Sequence, residues 1–325
     1  MRYHDRPRTM FQNLTVAAVV PAHNEEKLIG RVVETMPEWV DRIYVVDDGS
    51  RDKTRDIVKA YQASMNGRVV LIEHGGNSGV GAAIVTGYRR ALEDKMDLVA
   101  VMAGDAQMDP ADLEKLVRPV AEGKSDYTKG NRLFTGEAWK IIPKVRYFGN
   151  AILSLLTKIV SGYWHVADSQ SGYTVISREA LAELPIGKLY ARYGFPNHML
   201  ALLNVYGLRV KDVPVKPIYG IGERSGIRLW RVIPRISLLL AECFLWRIKE
   251  KYVIRDFHPL LFFLVMGAFL LVVGIAVGAH CVYVRFTAGS VALPAVIFSA
   301  FLGITGLQSL FLAMWMDMEY NKNLR

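Results

Sequence analysis

The chain has 325 residues, of which 51% are hydrophobic, and its 40 Lys and Arg outnumber its 31 Asp and Glu to give a net charge of +9. The length suits one large domain with an appendage, or two domains, and the apolar fraction is high for a soluble protein but low for a polytopic membrane protein. The positive charge favours anionic partners: phosphates, acidic lipids or nucleic acid. The two cysteines, Cys243 and Cys281, exclude a disulfide framework and a cysteine metal site.

The N-terminal two thirds of the chain alternate between strand and helix patterns. Residues 1–12 are polar and contain no apolar core, so we expect no signal peptide and a cytoplasmic N-terminal domain. Apolar runs predict strands at residues 15–21, 42–47, 68–73 and 97–102. Amphipathic stretches predict helices at residues 24–36, 52–64 and 81–93. We expect Asn24 to cap the first helix, and the alternation predicts βαβ units, hence an α/β fold with a largely parallel sheet.

Acidic and amide side chains follow two of the predicted strands. Asp47 and Asp48 end the second strand, and Asp105 and Gln107 follow the fourth. Two adjacent carboxylates repel each other, so a ligand or cation is favoured over a simple turn. Asp105 and Gln107, two residues apart, can converge on one hard divalent cation, which prefers such oxygen ligands. A surface loop is the alternative for this pair.

Two further turns could contact a phosphate or a base. Pro21, Ala22 and Glu25 lie where the first strand gives way to a helix, a position that suits an anion or an ordinary cap equally well. The glycine-rich loop at residues 75–81 would let the backbone approach a ribose-diphosphate, although a glycine loop alone is weak evidence.

The last third of the chain predicts a membrane hairpin. Residues 260–279 and 291–316 are each long and apolar enough to cross about 30 Å of hydrocarbon as a helix. Basic residues before the first span and after the second place both ends in the cytoplasm and the link at 281–290 outside. Two buried core helices are the alternative.

Between the two regions, residues 227–246 predict a helix lying on anionic lipid. Arg228, Arg231 and Arg235 recur at spacings of three and four, so they share one helix face, and Pro234 is expected to break the helix. An ordinary helix covering the sheet is the alternative. We therefore expect a catalytic domain at residues 1–226, interfacial helices at 227–256 and a transmembrane hairpin with a short tail at 257–325.

Four motifs occur in the order in which family 2 glycosyltransferases have them. They are Pro21-x-x-Asn24-Glu25, Asp47-Asp48-Gly49-Ser50, Asn77-x-Gly79-x-Gly81 and Asp105-x-Gln107-x-Asp109-Pro110. With the hairpin, the chain resembles the polyprenyl-phosphate glycosyltransferases, the group of the dolichyl-phosphate mannose and glucose synthases. The resemblance covers essentially the whole chain. It implies a GT-A nucleotide-sugar-binding fold with a mostly parallel central sheet, interfacial helices and a two-helix transmembrane hairpin.

The resemblance also implies roles for single residues on the donor side. Asp105 and Gln107 would hold Mg²⁺ or Mn²⁺ on the diphosphate. The residues implied in binding the nucleotide sugar are Pro21, Ala22, Glu25, Asp47, Asp48, Asn77, Gly79 and Gly81. Many relatives have a further Asp where this chain has Ala103, which leaves one acidic ligand and makes metal preference hard to carry over.

A second group of residues resembles the acceptor site of the same family. Asp168-Ser-Gln-Ser171-Gly-Tyr173 is similar to its Asp-x-x-Ser-Gly-Phe motif, although Thr174 replaces the usual Arg. Without the family, a polar turn explains this segment equally well. Arg132, Arg224, Lys144 and Arg146 are the cations expected near the lipid phosphate, and the first two lie in matching segments. The catalytic set implied by the resemblance is Asp105, Arg132, Asp168 and Arg224.

The implied activity is inverting transfer of a sugar from a nucleotide diphosphate sugar, with a UDP-sugar favoured, to undecaprenyl or dolichyl phosphate in the cytoplasmic membrane. A GDP-mannose-dependent synthase and a processive polysaccharide synthase are the alternatives, although the latter usually has more spans and a Gln-x-x-Arg-Trp segment. A nucleotidyltransferase would not explain the hairpin, and a scaffold would not need the acidic motifs. We expect membrane lipid as a partner and no nucleic acid; a homo-oligomer is left open.

Overall fold

The computed structural model describes residues 11–133, 144–216, 218 and 229–325, with the side chains of 144–148, 150 and 229–233 left aside. Packing divides the chain into two compact units. The first comprises Met1–Phe244 with Leu324–Arg325, and the second comprises Leu245–Asn323. The predicted domain boundaries after residues 226 and 256 concern function and membrane placement, and they stay predictions.

The first unit is built on a seven-stranded sheet with the strand order β3-β2-β1-β4-β6-β5-β7. The strands are β1 Val16–Ala22, β2 Arg42–Asp47, β3 Val69–Glu73, β4 Leu98–Val101, β5 Tyr127–Asn131, β6 Thr174–Ser177 and β7 Val210–Pro214. Neighbouring strands are parallel except where β6 pairs with β4 and β5. The predicted α/β class with a mostly parallel sheet is confirmed.

Helices cover both faces of this sheet. Those of the first unit are α1 Ile29–Glu34, α2 Thr54–Ser64, α3 Val80–Glu93, α4 Leu113–Ala121, α5 Lys144–Ser161, α6 Arg178–Glu183 and α7 Phe195–Val205. All seven residues of β1 are buried, as expected for a strand covered on both faces. A Cβ on Gly87 of α3 would lie 2.3 Å from Val19 Cγ1, so this glycine lets the helix pack directly on β1.

The first helix begins later than the sequence predicts. It starts at Ile29, and no side chain caps it. Asn24 instead has a φ of +58°, and its side chain accepts a hydrogen bond from the Arg51 N–H at 2.8 Å. The prediction of a cap at Asn24 is wrong because this residue fastens its own turn to the turn that follows β2.

The carboxyl ends of the first strands meet at one edge of the sheet. Ala22 is opposite Asp47 in the β1–β2 register, and Val19 is opposite Val101 in the β1–β4 register. Strands β2 and β4 thus lie on opposite sides of β1, the arrangement at which open α/β sheets bind ligands.

Helix α8, Leu229–Lys249, contains the chain boundary of the two units after Phe244 and is followed by a π-helical turn at Glu250–Arg255. It continues through Pro234, so the predicted break there is wrong. Arg235 and Leu238 on this helix are exposed, whereas Arg228 lies outside the described residues. Whether the helix lies on lipid stays a prediction.

The second unit contains two helices that are long and apolar enough to cross a membrane. The most apolar 18-residue stretch of helix α9, Leu260–Ala288, has a mean hydropathy of 3.0, and that of α10, Leu293–Tyr320, has one of 1.9. Their link is shorter than predicted, because helix continues to Ala288 and only residues 289–292 form the turn.

Small residues allow α9 and α10 to pack closely. A Cβ on Gly274 would lie 2.9 Å from the Gly303 N atom, and one on Gly306 would lie 2.7 Å from the Leu271 N atom. Ser299 Oγ donates to the Gly274 carbonyl at 2.9 Å. Close backbone contact and hydrogen bonding between helices are the interactions that hold helix pairs together in lipid.

Two of the basic residues before the first span are buried inside the second unit. Arg247 is 1% exposed and pairs with Asp317 of α10 at 2.7 Å. Lys251 donates to Asn321 Oδ1 at 2.6 Å. These two charges therefore hold the ends of the hairpin together rather than facing lipid.

Candidate active site

Three turns at the carboxyl edge of the sheet lie against one another, and we name residues 21–26, 47–50 and 104–107 the acidic edge. The Ala22 carbonyl accepts from the Asp48 N–H at 2.8 Å, and the Pro21 carbonyl accepts from the Gly104 N–H at 3.1 Å. The Glu25 N–H donates to Thr54 Oγ1 at 2.8 Å. The end of β1 is therefore the fixed point to which the two neighbouring turns are attached.

Asp47 is fully buried and has protein donors of its own. Its carboxylate accepts from Arg55 Nε at 2.7 Å and from the Ser50 N–H at 3.1 Å. The Arg55 guanidinium thus compensates the charge of this carboxylate. The repulsion between neighbouring carboxylates therefore does not by itself require a bound cation.

Asp48 fastens the glycine-rich loop to β2. Its two oxygens accept from the Ser78 N–H at 2.8 Å, the Gly79 N–H at 2.7 Å and His74 Nδ1 at 2.9 Å. His74 Nε2 is in turn 3.0 Å from Thr86 Oγ1 of α3. Burial alone would raise the pKa of Asp48, but these hydrogen bonds lower it below its ordinary value.

Two glycines of this loop, Gly79 and Gly81, are needed for packing within the protein. Gly79 has a φ of +102°, and a Cβ there would lie 2.4 Å from the Ala191 carbonyl oxygen. A Cβ on Gly81 would lie 2.2 Å from the Tyr190 carbonyl oxygen. The sequence suggested approach to a ribose-diphosphate, whereas the structure shows approach to another protein segment. Donor contacts by Gly79, Gly81 and the exposed Asn77 stay predictions.

Asp105 and Gln107 lie in one tight turn after β4. Asp105 is half-buried, and its Oδ1 accepts from the Gln107 N–H at 3.1 Å, with Ala106 between them at a φ of +55°. Burial, and then the nearby charges of Asp105 and Asp52, raise the pKa of Glu25 to about 7. The turn after β1 therefore presents a carboxyl group toward Asp105.

The donor set of this turn fits a divalent cation that is shared with a substrate. It offers one carboxylate and one carboxamide, both oxygen ligands of the kind that Mg²⁺ and Mn²⁺ take. Within the described part of the chain, no group of three or more His, Cys, Asp or Glu side chains could hold a metal ion alone. Substrate phosphates and water would have to complete the shell.

Asp168 and Arg132 form a second group at the same edge of the sheet. Asp168 is fully buried, and Arg132 binds it through Nε at 2.7 Å, Nη2 at 3.1 Å and the backbone N–H at 3.1 Å. Burial alone would raise the pKa of Asp168, but Arg132 and then Lys129 lower it. The guanidinium fork that we expected on a lipid phosphate thus also holds a carboxylate; its phosphate contact stays a prediction.

Reversal of β6 explains why this group lies beside the acidic edge. Thr174 at the start of β6 is opposite Val101 at the end of β4, so the loop that precedes β6 lies next to the turn that follows β4. Tyr173 Oη donates to the Asp109 carbonyl at 2.9 Å across this junction. Predicted donor and acceptor residues are thereby brought to one edge.

Sequence reasoning missed two residues that hold this region together. Lys129 on β5 is fully buried and donates to the carbonyls of Asp168 and Ser171. Asp212 on β7 accepts from the Ala167 N–H at 2.7 Å and from Asn131 Nδ2 at 3.0 Å. For Lys129, the one signal available in the sequence was its place just before the segment of Arg132 that resembles the family. We name Lys129, Arg132, Asp168 and Asp212 the ion cluster.

Other predicted cations are not placed. Arg224 lies outside the described residues. Lys144 and Arg146 lie in the first turn of α5, but their side chains are not among those described. Their roles at a lipid phosphate stay predictions.

Comparison with known proteins gives the family. The model of glycosyl transferase family 2 matches residues 17–184. The chain is 33% identical to a UDP-N-acetylglucosamine–dolichyl-phosphate N-acetylglucosaminyltransferase of Methanococcus voltae, over 62% of this chain and 84% of that protein. An uncharacterized protein of Methanocaldococcus jannaschii is 38% identical over 63% of this chain and 82% of its own length. Further relatives are named as dolichyl-phosphate beta-glucosyltransferase and undecaprenyl-phosphate mannosyltransferase.

Solved structures agree on the fold. Glucosyl-3-phosphoglycerate synthase of Mycobacterium tuberculosis, crystallised with Mn²⁺ and UDP, superposes with a TM-score of 0.54 at 22% identity, over 73% of this chain and 80% of that one. At this identity the likeness shows the GT-A fold alone. The chain therefore belongs to glycosyl transferase family 2, and its homologues include polyprenyl-phosphate glycosyltransferases.

Proposed function

We propose that this protein transfers a sugar from a nucleotide diphosphate sugar to a polyprenyl phosphate, undecaprenyl or dolichyl, at the cytoplasmic face of a membrane. The observation that carries the proposal is the reversal of β6, which brings the loop at Asp168 to the same sheet edge as the Asp105 turn. A donor turn and an acceptor loop side by side, in a chain with a candidate membrane hairpin, suit a lipid-linked acceptor.

The acidic edge would bind the donor. Asp105 and Gln107 would hold Mg²⁺ or Mn²⁺ on the diphosphate. When bound, the cation supplies stabilisation of the charge on the departing nucleotide diphosphate. The nucleoside would contact Pro21, Ala22 and Glu25 with Asp47 or Asp48.

Arg132 of the ion cluster and Arg224 would bind the acceptor phosphate, with Asp168 shaping the loop around it. A lipid phosphate is already anionic near neutral pH, so its oxygen needs no strong base to attack. The residues therefore act by positioning the two substrates and by stabilising charge. Arg132, 23% exposed, would bind phosphate oxygens on its accessible side while Asp168 fixes the guanidinium plane. In-line attack at the anomeric carbon inverts it, so an α-linked nucleotide sugar gives a β-linked lipid phosphosugar.

A UDP-sugar, glucose or N-acetylglucosamine, is the favoured donor, since the Methanococcus voltae relative carries UDP-N-acetylglucosamine in its name. GDP-mannose is the second candidate, because relatives are named as mannosyltransferases. Transfer of radiolabelled sugars from a panel of nucleotide sugars to undecaprenyl and dolichyl phosphate would decide between them. We expect label in the organic phase that depends on Mg²⁺ or Mn²⁺. Label in a water-soluble polymer instead would support a processive synthase.

The proposal also includes a topology, with residues 1–226 catalytic, 227–256 interfacial and 257–325 forming the hairpin. Tags at Met1 and Arg325 should both be accessible from the cytoplasm, and a tag at Ser290 from the outside. Protease access to both termini from outside would contradict this placement.

A further inference from the structure

The ion cluster contains one cation that cannot touch a substrate. Lys129 has no exposed surface, and its Nζ donates to the Ser171 carbonyl at 2.8 Å and also to the Asp168 carbonyl. These carbonyls stand at the two ends of a turn in which the Ser171 N–H is 3.5 Å from the Asp168 oxygen. One ammonium therefore spans the whole turn, because a lysine has three donors to give.

The strand register fixes Lys129 in the middle of the cluster. In the sheet Lys129 is directly opposite Thr174 of β6 on one side and Asp212 of β7 on the other. Residues opposite each other on neighbouring strands share one face. The lysine is thus flanked by the strand that the loop leads into and by a carboxylate that holds Ala167 at the start of the loop.

Charges within the cluster balance, since Lys129 and Arg132 face Asp168 and Asp212. Asp212 is half-buried, and its Oδ1 is buried with no hydrogen bond from the described residues. Burying charges in this way is a poor route to stability, because apolar residues of similar size often serve as well or better. Fixing one conformation of the loop is the alternative use of such a network.

Lys129 and Arg132 hold the same residue from two sides. Lys129 fixes the backbone of Asp168, and Arg132 binds its side chain through two nitrogens. The plane of the Arg132 guanidinium is set by the Asp168 carboxylate, whose position is set by the backbone that Lys129 holds. We propose that Lys129 is a positioning residue for the acceptor phosphate, acting through the turn at Asp168–Ser171 on Arg132. This inference rests on the proposed function.

The expected signature is a selective loss of acceptor use. In Lys129→Met the turn loses its tether, and misplacement of a substrate-binding group by about 1 Å can cost up to about a hundredfold. We expect the KM for polyprenyl phosphate to rise about 10- to 100-fold, while the KM for the nucleotide sugar changes less than about twofold. Lys129→Gln keeps two N–H donors on a shorter, uncharged side chain and should be intermediate. Lys124→Met, at an exposed lysine paired with Glu122, is the matched control and should behave like the wild type.

The inference would be tested on the full chain in detergent. The measurements are steady-state kinetics with each substrate varied in turn, nucleotide affinity by calorimetry, and hydrogen exchange of residues 167–172. Faster exchange in that loop with unchanged nucleotide affinity is the expected companion result. A wild-type acceptor KM in Lys129→Met would overturn the inference and leave the proposed function standing. Loss of nucleotide affinity in both variants would also overturn it, since Lys129 would then serve folding in general. A wild-type protein that transfers to no polyprenyl phosphate would overturn the proposed function and the inference with it.

Discussion

The acidic edge and the ion cluster both place carboxylates where strands of one sheet end, yet their charges are balanced differently. In the ion cluster two carboxylates face two cations, one of them an Arg with a bidentate contact. In the acidic edge Arg55 compensates Asp47, while Asp48 relies on backbone N–H groups and His74. Asp105 faces Glu25, another carboxyl group. Among the described residues, opposite charges face each other in the ion cluster, whereas two carboxyl groups face each other in the acidic edge.

This difference predicts how each region responds to loss of a charge. Removing the Asp105 carboxylate from the acidic edge relieves its repulsion with Glu25, so the fold should tolerate the change while activity falls. Removing one partner from the ion cluster leaves a buried charge uncompensated, so stability should fall as well. Substitutions that separate the two responses test the comparison.

The largest expected effect on activity is at Asp105. Asp105→Asn removes the single acidic ligand of its turn, and we expect transfer to fall about 100- to 1000-fold, the usual cost of losing a main stabiliser of developing charge. Stability should stay the same or rise, because the repulsion with Glu25 is relieved. Transfer rates and thermal unfolding would be measured, with the exposed Asp56→Asn on α2 as the control. Equal wild-type rates in EDTA and in Mn²⁺ would remove the metal role.

Breaking the ion cluster should affect stability most. Arg132→Met leaves the buried Asp168 carboxylate without its main partner, at a cost of about 3 kcal/mol of unfolding free energy. Acceptor KM should also rise about 10- to 100-fold through loss of a phosphate contact.

A double variant, Arg132→Met with Asp168→Leu, separates these two effects. It should recover most of the stability and none of the acceptor use. The exposed Arg118–Glu114 pair gives the control, since Arg118→Met should cost less than about 1 kcal/mol. An unfolding free energy equal to that of the wild type in Arg132→Met alone would show that Arg132 is not needed to compensate the buried Asp168 carboxylate.

Asp48 offers a smaller effect inside the acidic edge. Asp48→Asn cannot accept from both loop N–H groups and His74 in the same way, so nucleotide affinity should fall about tenfold, the equivalent of one hydrogen bond to a charged group. The pKa of Asp48 lies below its ordinary value of 3.8 in the folded state, so its contribution is present above pH 3.8 and is lost as the pH falls through the folded pKa. Urea unfolding from pH 7 to pH 2 should therefore show a weaker acid limb in Asp48→Asn than in Asp56→Asn. Parallel acid limbs would contradict the anchoring role.

The elements that the sequence predicts well are those whose signal is local. Strand β2 has the predicted bounds, and α2 and α3 differ from prediction by a residue or two, because apolar periodicity and turn residues lie within each segment. The start of α1 was mispredicted because Asn24 bonds to Arg51, a residue of the next turn, rather than to its own helix. Rules for helix caps consider only residues next to one another in sequence, so they do not account for a hydrogen bond from a different turn.

The site divides in the same way. The acidic motifs are short and could be read as strand ends, and the structure brings Glu25, Asp48 and Asp105 to one edge. Lys129 and Asp212 of the ion cluster could not be read from the sequence, because Lys129 and the carbonyl of Ser171 are 42 residues apart and Asp212 joins them only through the order of three strands. The geometry of the ion cluster depends on the antiparallel direction of β6, which the alternation of strand and helix patterns does not predict.

A separate effect, on stability alone, is a pH dependence that belongs to Lys129. Burial lowers its pKa from 10.5 to about 8, opposed by Asp168 and Asp212 and reinforced by Arg132, the charged groups that face it. Between about pH 8 and 10.5 the unfolded chain therefore binds more protons than the folded one, and stability should rise with pH across that window. Below pH 8 the amine is charged in both states, and the cost of burying it is present in full.

Unfolding free energies of the wild type and of Lys129→Met at pH 7.5 and pH 10 would isolate this contribution, because all other titrating groups are shared. The difference between the two proteins should shift in favour of the wild type at pH 10, while the exposed Lys124→Met keeps a constant difference. A pH-independent difference for Lys129→Met would mean that the ammonium is no costlier inside than outside, and that the ion cluster compensates its charge fully. In that case the ion pairs of the cluster would offset the whole free-energy cost of burying the Lys129 ammonium. The acidic edge, where Asp105 and Glu25 repel each other, would then differ from the cluster more than the burial of Lys129 suggests.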